Sequence, residues 1–178
     1  MIISKTKIDG LKIVKQVKFK DPRGSLRVMY NKKILKSKNF VFNFCTTSKK
    51  NVLRGFHFQS KFQQAKFVNV VKGKIMDCVV DLRKNSKTFG KTFKIILSDK
   101  NSTGLYIPEG FGHAYYSYEK INIIYYQLSD YYKPNFENGI IWNDKKINVS
   151  WPTIKPLVSK KDKMLLTLDG FKAKYKYL

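Results

Sequence analysis

The chain is poor in the residues that most often fix chemistry or cross-links. Its 178 residues include two cysteines, two histidines, four arginines and twelve acids. Cys45 and Cys78 stand 33 positions apart inside apolar runs, which is read as two buried free thiols, and no CxxC spacing offers a zinc site. Zinc or iron needs about three converging ligands, so two histidines without an HxH or HExxH pattern argue against a metal. No apolar stretch approaches the roughly 18 residues of a membrane span. The opening Met1-Ile2-Ile3-Ser4-Lys5 lacks the apolar region of a signal peptide. The expectation is a cytoplasmic protein with no membrane partner.

Against those scarcities stands an excess of lysine. The formal net charge is +24, and only four of the 36 basic residues are arginine: Arg23, Arg27, Arg54 and Arg83. Nucleic-acid binders reach such charges because neutralised phosphates release counterions. Here the lysines are spread through every segment rather than gathered in a tail or patch, as the pairs Lys49-Lys50 and Lys145-Lys146 illustrate. They are read as a solvated surface and not as a nucleic-acid face, though any anionic ligand would be steered towards it. Hydrophobic residues at 43% and aromatics at 15% exclude a disordered chain, and the length suits one domain spanning 1–178.

Period-two alternation dominates. Phe40, Phe42 and Phe44 alternate with Val41 and Asn43, and 11–19 places Leu11, Ile13 and Val17 on one face. The segments 66–71 and 74–82 read as two strands joined at a turn containing Gly73, and 92–97 and 122–128 continue the β-branched and aromatic runs. Short strands separated by turn signals predict an all-β sandwich or barrel. Helical periodicity is confined to the end, where Ser159-Lys160-Lys161-Asp162 is expected to cap a short helix running through Leu168.

Both histidines fall in segments that look like the walls of a site: Val52-Leu53-Arg54-Gly55-Phe56-His57-Phe58-Gln59 and Ile107-Pro108-Glu109-Gly110-Phe111-Gly112-His113. Imidazole is the side chain best suited to moving protons near neutrality. On a regular strand Arg54 and His57, three apart, would point to opposite faces, and a bulge at Gly55 could bring both to one cavity. Lys66 lies among apolar neighbours, where a lysine is costly unless used. Asp77 and Asp81 bracket the apolar Cys78-Val79-Val80. Tyrosine hydroxyls in Tyr125-Tyr126 and Tyr131-Tyr132 could serve as a general acid, and residue pattern alone does not choose among them.

Together these segments resemble the dTDP-4-dehydrorhamnose 3,5-epimerase family. The similarity begins at Asp21-Pro22-Arg23-Gly24 and continues through the Arg54-Gly55-Phe56-His57-Phe58-Gln59 core, Gln64-Ala65-Lys66 and Asp77-Cys78-Val79-Val80-Asp81. It then takes in Ser86-Lys87-Thr88-Phe89-Gly90, the 107–113 segment, Tyr131-Tyr132, Trp142-Asn143-Asp144 and 159–162, covering roughly residues 20–165 in the family's order. The resemblance implies a cupin-type jelly-roll barrel with a short C-terminal helix, and a homodimer whose N-terminal region reaches towards the partner. It also implies no metal and no redox cofactor, and as substrate a nucleotide-diphosphate 4-keto-6-deoxy sugar whose C3 and C5 protons the ketone acidifies.

On the same basis His57 would be the base and Asp162 the carboxylate that orients it. Lys66 would stand near the C4 oxygen, and Tyr126 would return a proton on the opposite ring face. Arg54 and His113 would contact the sugar or stabilise its charge, Arg23 would meet the diphosphate, Glu137 would lie on the nucleotide side, and Gln59 would be a further substrate-binding residue. One departure is that Phe42-Asn43-Phe44-Cys45-Thr46-Thr47-Ser48 is more apolar than the family's asparagine-containing stretch. This keeps a C3-only or C5-only epimerase of another nucleotide-linked 4-keto sugar as the alternative, and a non-enzymatic nucleic-acid-binding jelly roll as a remote one.

Overall fold

The computed structural model describes residues 1–35 and 39–178. Its first seven strands are β1 (Ile2–Lys5), β2 (Lys12–Lys15), β3 (Lys18–Asp21), β4 (Gly24–Arg27), β5 (Phe42–Ser48), β6 (Leu53–Gln59) and β7 (Lys66–Lys72). Six more follow: β8 (Lys74–Asp81), β9 (Thr92–Ser98), β10 (Thr103–Ile107), β11 (Phe111–Ser117), β12 (Asn122–Leu128) and β13 (Glu137–Gly139). Among the described residues there are also three short α-helices, α1 (Lys32–Leu35), α2 (Lys160–Lys163) and α3 (Leu168–Tyr175), and a 3-10 turn over Pro134–Phe136.

Two antiparallel sheets form the jelly roll. One has the order β1-β2-β10-β7-β12-β5 and the other β13-β6-β11-β8-β9, while β3 and β4 make a separate hairpin. Between the sheets, alternate residues of facing strands close the main core, among them Val68, Val70, Ile75, Val79, Leu105 and Ile124. The outer face of the five-stranded sheet is buried as well. Phe56, Phe58, Cys78 and Val80 pack there against Leu168 and Phe171 of α3. This explains why β8 is buried on both faces after its first residue, with Asp77 inside and Cys78 turned to the helix.

Three local expectations are revised, and one turn is as expected. The 11–19 run is not one strand: the chain breaks at Gln16, whose buried amide bonds to Asn69 Oδ1 and Met29 O, and β3 leaves the sheet to pair with β4. The turn expected at Gly73 is observed, and it carries the chain from one sheet to the other, since β7 and β8 belong to different sheets. Of the two free cysteines, Cys78 is buried, but Cys45 is exposed because the alternation of β5 turns Phe44 and Thr46 inwards and Cys45 out. The C-terminal helix is interrupted. Ser159 caps α2, yet Leu166 forms a bridge with Ile140, and a new cap at Thr167 starts α3.

The bulge foreseen at Gly55 is present. His113 pairs with His57 and Tyr115 with Arg54, so a step of two residues on β11 spans three on β6. Gly55 has φ +116°, and a Cβ there would stand 2.4 Å from the His113 carbonyl oxygen. Gly55→Ala is therefore expected to lower unfolding free energy in urea by more than ~1 kcal/mol. An unchanged midpoint would show that the bulge tolerates a side chain.

Candidate functional site

The bulge matters because it delivers two side chains of β6 to one place. Arg54 and His57 both line a cavity of about 370 Å³ between the sheets. The five-stranded sheet also supplies His113, Tyr115 and Gln59, and the six-stranded sheet supplies Phe42, Phe44, Thr46, Lys66 and Tyr126. Tyr132 and Glu137 also line it. Tyr126 lines the cavity and Tyr125 does not, which the alternation of β12 requires.

Two histidine–carboxylate pairs stand side by side on neighbouring strands. His57 Nε2 lies 2.8 Å from Asp162 Oδ1, and His113 Nε2 lies 2.8 Å from Asp77 Oδ2. The second Asp162 oxygen accepts the Gly55 N–H at 3.2 Å. Ser159 Oγ caps α2 by accepting the Asp162 N–H at 3.0 Å. Burial pushes that carboxyl up, but the hydrogen bond and charge of His57, with the Gly55 and Ser159 bonds, outweigh it and hold it below its ordinary range. The second oxygen of Asp77, Oδ1, is buried with no hydrogen-bond partner among the described residues.

Lys66 Nζ donates to the His57 carbonyl at 3.4 Å. Burial lowers its pKa to about 8, against the opposing charges of Glu137 and Asp77. Burial likewise drives the Tyr126 phenol well up, reinforced by Tyr115 and Asp77 and countered by Arg54 and the Thr46 hydroxyl. Tyr126 thus keeps its proton and Lys66 stays charged below about pH 8. Glu137 accepts hydrogen bonds from the Tyr132 hydroxyl and from Lys161 Nζ; burial raises its pKa, but these bonds prevail and it lies below the usual value.

Not every expected residue converges. Gln59 lines the cavity, but its amide is committed to the adjoining loop: it donates to Phe62 O at 2.7 Å and accepts from Lys133 N at 2.6 Å. Arg23 lies outside the cavity at the tip of the β3–β4 hairpin, with its side chain 90% exposed and paired with Asp21 at 2.7 Å. Conversely, sequence reading did not assign Asp77 as the partner of His113, nor Thr46, Ser48 and Tyr115 to the site. A buried acid inside an apolar run was the available signal for Asp77; the hydroxyl residues carried none. Among the described residues no group of three or more His, Cys, Asp or Glu is placed to hold a metal, and no helix is long and apolar enough to cross a membrane.

The profile of the dTDP-4-dehydrorhamnose 3,5-epimerase family matches residues 5–170. The Salmonella typhimurium dTDP-4-dehydrorhamnose 3,5-epimerase is 38% identical over 176 residues, covering 95% of this chain and 96% of its own. The Legionella pneumophila dTDP-6-deoxy-D-glucose-3,5-epimerase, solved with dTDP-4-keto-L-rhamnose, superposes with a TM-score of 0.93 at 33% identity, over 98% of this chain and 96% of that one. The Bacillus anthracis dTDP-4-dehydrorhamnose 3,5-epimerase, solved with TDP and PPi bound, gives 0.91 at 34% identity, over 94% and 99%.

With 13C-dimethylated lysines, the Lys66 resonance should titrate near pH 8, and Lys66→Met should remove that resonance. A Lys66 signal that titrates with the surface lysines would contradict its burial.

Proposed function

The chain belongs to the dTDP-4-dehydrorhamnose 3,5-epimerase family, and we propose that it inverts C3 and C5 of dTDP-4-dehydro-6-deoxy-D-glucose to give dTDP-4-dehydro-L-rhamnose. The observation that carries this reading is the opposition of His57 on β6 and Tyr126 on β12, strands of facing sheets, across one cavity. Inversion at carbon needs a base on one face and an acid on the other.

His57, with Nε2 held by Asp162, takes the proton next to the ketone through its remaining ring nitrogen. Asp162 fixes the ring and stabilises the imidazolium. The electrons move onto the C4 oxygen, and Lys66 supplies the positive charge that the enolate needs in a water-poor site. Tyr126, protonated because it is buried, delivers a proton from the opposite face. Arg54 and His113 contact the sugar, His113 being fixed by Asp77. Glu137, held by Lys161 and Tyr132, faces the nucleotide side, and Gln59 shapes the wall through the loop it ties down. The net charge of +24 favours capture of a diphosphate.

The active unit in this reading is a homodimer. The β3–β4 hairpin pairs with neither sheet, and its cross-strand partners Phe19 and Leu26 are 61% and 62% exposed. A second copy would cover them and receive Arg23, whose guanidinium suits a diphosphate. Ultracentrifugation should give a dimer that Phe19→Asp with Leu26→Asp dissociates, while a wild-type monomer with full activity would remove Arg23 from the site.

A second reading, inversion of one carbon of another nucleotide-linked 4-keto sugar, draws on the Phe42 and Phe44 side chains in the cavity wall. NMR of dTDP-4-keto-6-deoxyglucose in deuterated water separates the two. Deuterium is expected at both C3 and C5, and His57→Ala should lower both rates by about 10²–10⁴-fold. Label at one carbon supports the second reading, and label at neither removes this substrate.

A further inference from the structure

A second cavity, of about 410 Å³, lies beside α3, the helix that covers the outer face of the five-stranded sheet. It shares no lining residue with the cavity between the sheets. The loop after β8 supplies Arg83, Lys84 and Phe89, while α3 and the residues after it supply Lys172, Lys176 and Tyr177. Two main-chain bonds clamp these segments together. Lys84 N donates to Leu178 O at 3.1 Å, and Leu178 N donates to Leu82 O at 2.8 Å.

Charge at this cavity is one-sided. Asp81 is fully buried and commits both oxygens inside the fold. One accepts from Arg83 Nε at 2.9 Å; the other accepts from Arg83 Nη2 at 2.8 Å, Ser86 Oγ at 2.6 Å and Thr88 Oγ1 at 2.7 Å. Arg83 Nη1 donates to Asp9 O at 2.9 Å, so the guanidinium is held rigidly in the wall. Three of its five N–H groups are used, which leaves two for a ligand. Asp169, in the first turn of α3, pairs with Lys146 at 2.7 Å. Among the described residues Lys84, Lys172 and Lys176 form no ion pair. Cations gathered round one cavity repel one another, and an anion between them relieves that repulsion.

Two aromatic rings stand in the same wall. Lys84 Nζ lies 4.8 Å from the Tyr177 ring centroid, and Lys172 Nζ lies 5.5 Å from that of Phe89. Tyr177 is 41% exposed, so its ring is open to a ligand. A base joined to phosphates asks for this combination, an aromatic face beside fixed positive charge. The volume suits a single nucleotide.

We propose that this cavity binds one nucleoside diphosphate per chain, with the diphosphate among Arg83, Lys84, Lys172 and Lys176 and the base on Tyr177. The site is separate from the catalytic cavity and does not rest on the roles given to His57 and Tyr126.

Calorimetry with dTDP at about 0.15 M salt tests it, with melting temperature as a check on folding. Lys84→Gln with Lys172→Gln should remove one equivalent of dTDP per chain, or weaken it by about tenfold or more, since two charged contacts are lost. Lys100→Gln with Lys120→Gln takes the same charge from exposed positions elsewhere and should change neither count nor affinity. Tyr177→Ala should weaken dTDP and leave inorganic pyrophosphate unaffected. An unchanged dTDP count and affinity in the Lys84, Lys172 variant overturns the site. Equal weakening by both lysine pairs also overturns it, because binding would then follow net charge alone. Pyrophosphate that binds as tightly as dTDP overturns the nucleoside assignment. Should the catalytic cavity take no dTDP, the wild-type protein would bind one equivalent and the Lys84, Lys172 variant none, so the two readings fail separately.

Discussion

The two oxygens of the Asp162 carboxylate bond to two points of one short segment, the Gly55 amide and the His57 ring. That segment is the bulge. One extra residue in β6 turns Arg54 and His57 to the same side, and the carboxylate that orients the imidazole also ties down the backbone that aims it. Asp162 is in turn delivered by α2, capped by Ser159. The C-terminal segment therefore does two jobs. It covers the outer face of a sheet through α3, and it reaches the inner site through α2.

Charge in the cavity is arranged against a strongly basic background. With only twelve acids in the chain, three stand at this site, each beside a cation or an imidazole: Asp162 with His57, Asp77 with His113, and Glu137 with Lys161. A lysine placed among them feels its charge cost most where burial is deepest, and Lys66 is lowered to about 8 as a result. The same burial pushes Tyr126 the other way. One physical term, desolvation, thus keeps the acid protonated and leaves the cation close to its titration range.

Much of this was legible in sequence because β-strands repeat every two residues. The strand expected over 122–128 is observed over Asn122–Leu128, and that expected over 74–82 as Lys74–Asp81. The Gly55 bulge could be foreseen from the need to reconcile Arg54 with His57. What was not legible depends on pairing between distant segments. His113 meets Asp77 only because β11 lies beside β8, and Gly73 carries the chain between sheets. Tyr115, Ser48 and Thr46 come from two strands of different sheets, so their hydroxyls give no sequence pattern. Arg23 fits its family motif but not the cavity of its own chain, because the β3–β4 hairpin leaves the sheet.

The central claim is that base and acid address opposite faces of one ring from opposite sheets. A crystal structure with a bound nucleotide-linked 4-keto sugar tests it most directly. The account predicts the His57 ring nitrogen and the Tyr126 hydroxyl on opposite faces of the sugar, with Lys66 at the C4 oxygen. A sugar bound with both groups on the same face, or bound away from His57, would contradict it.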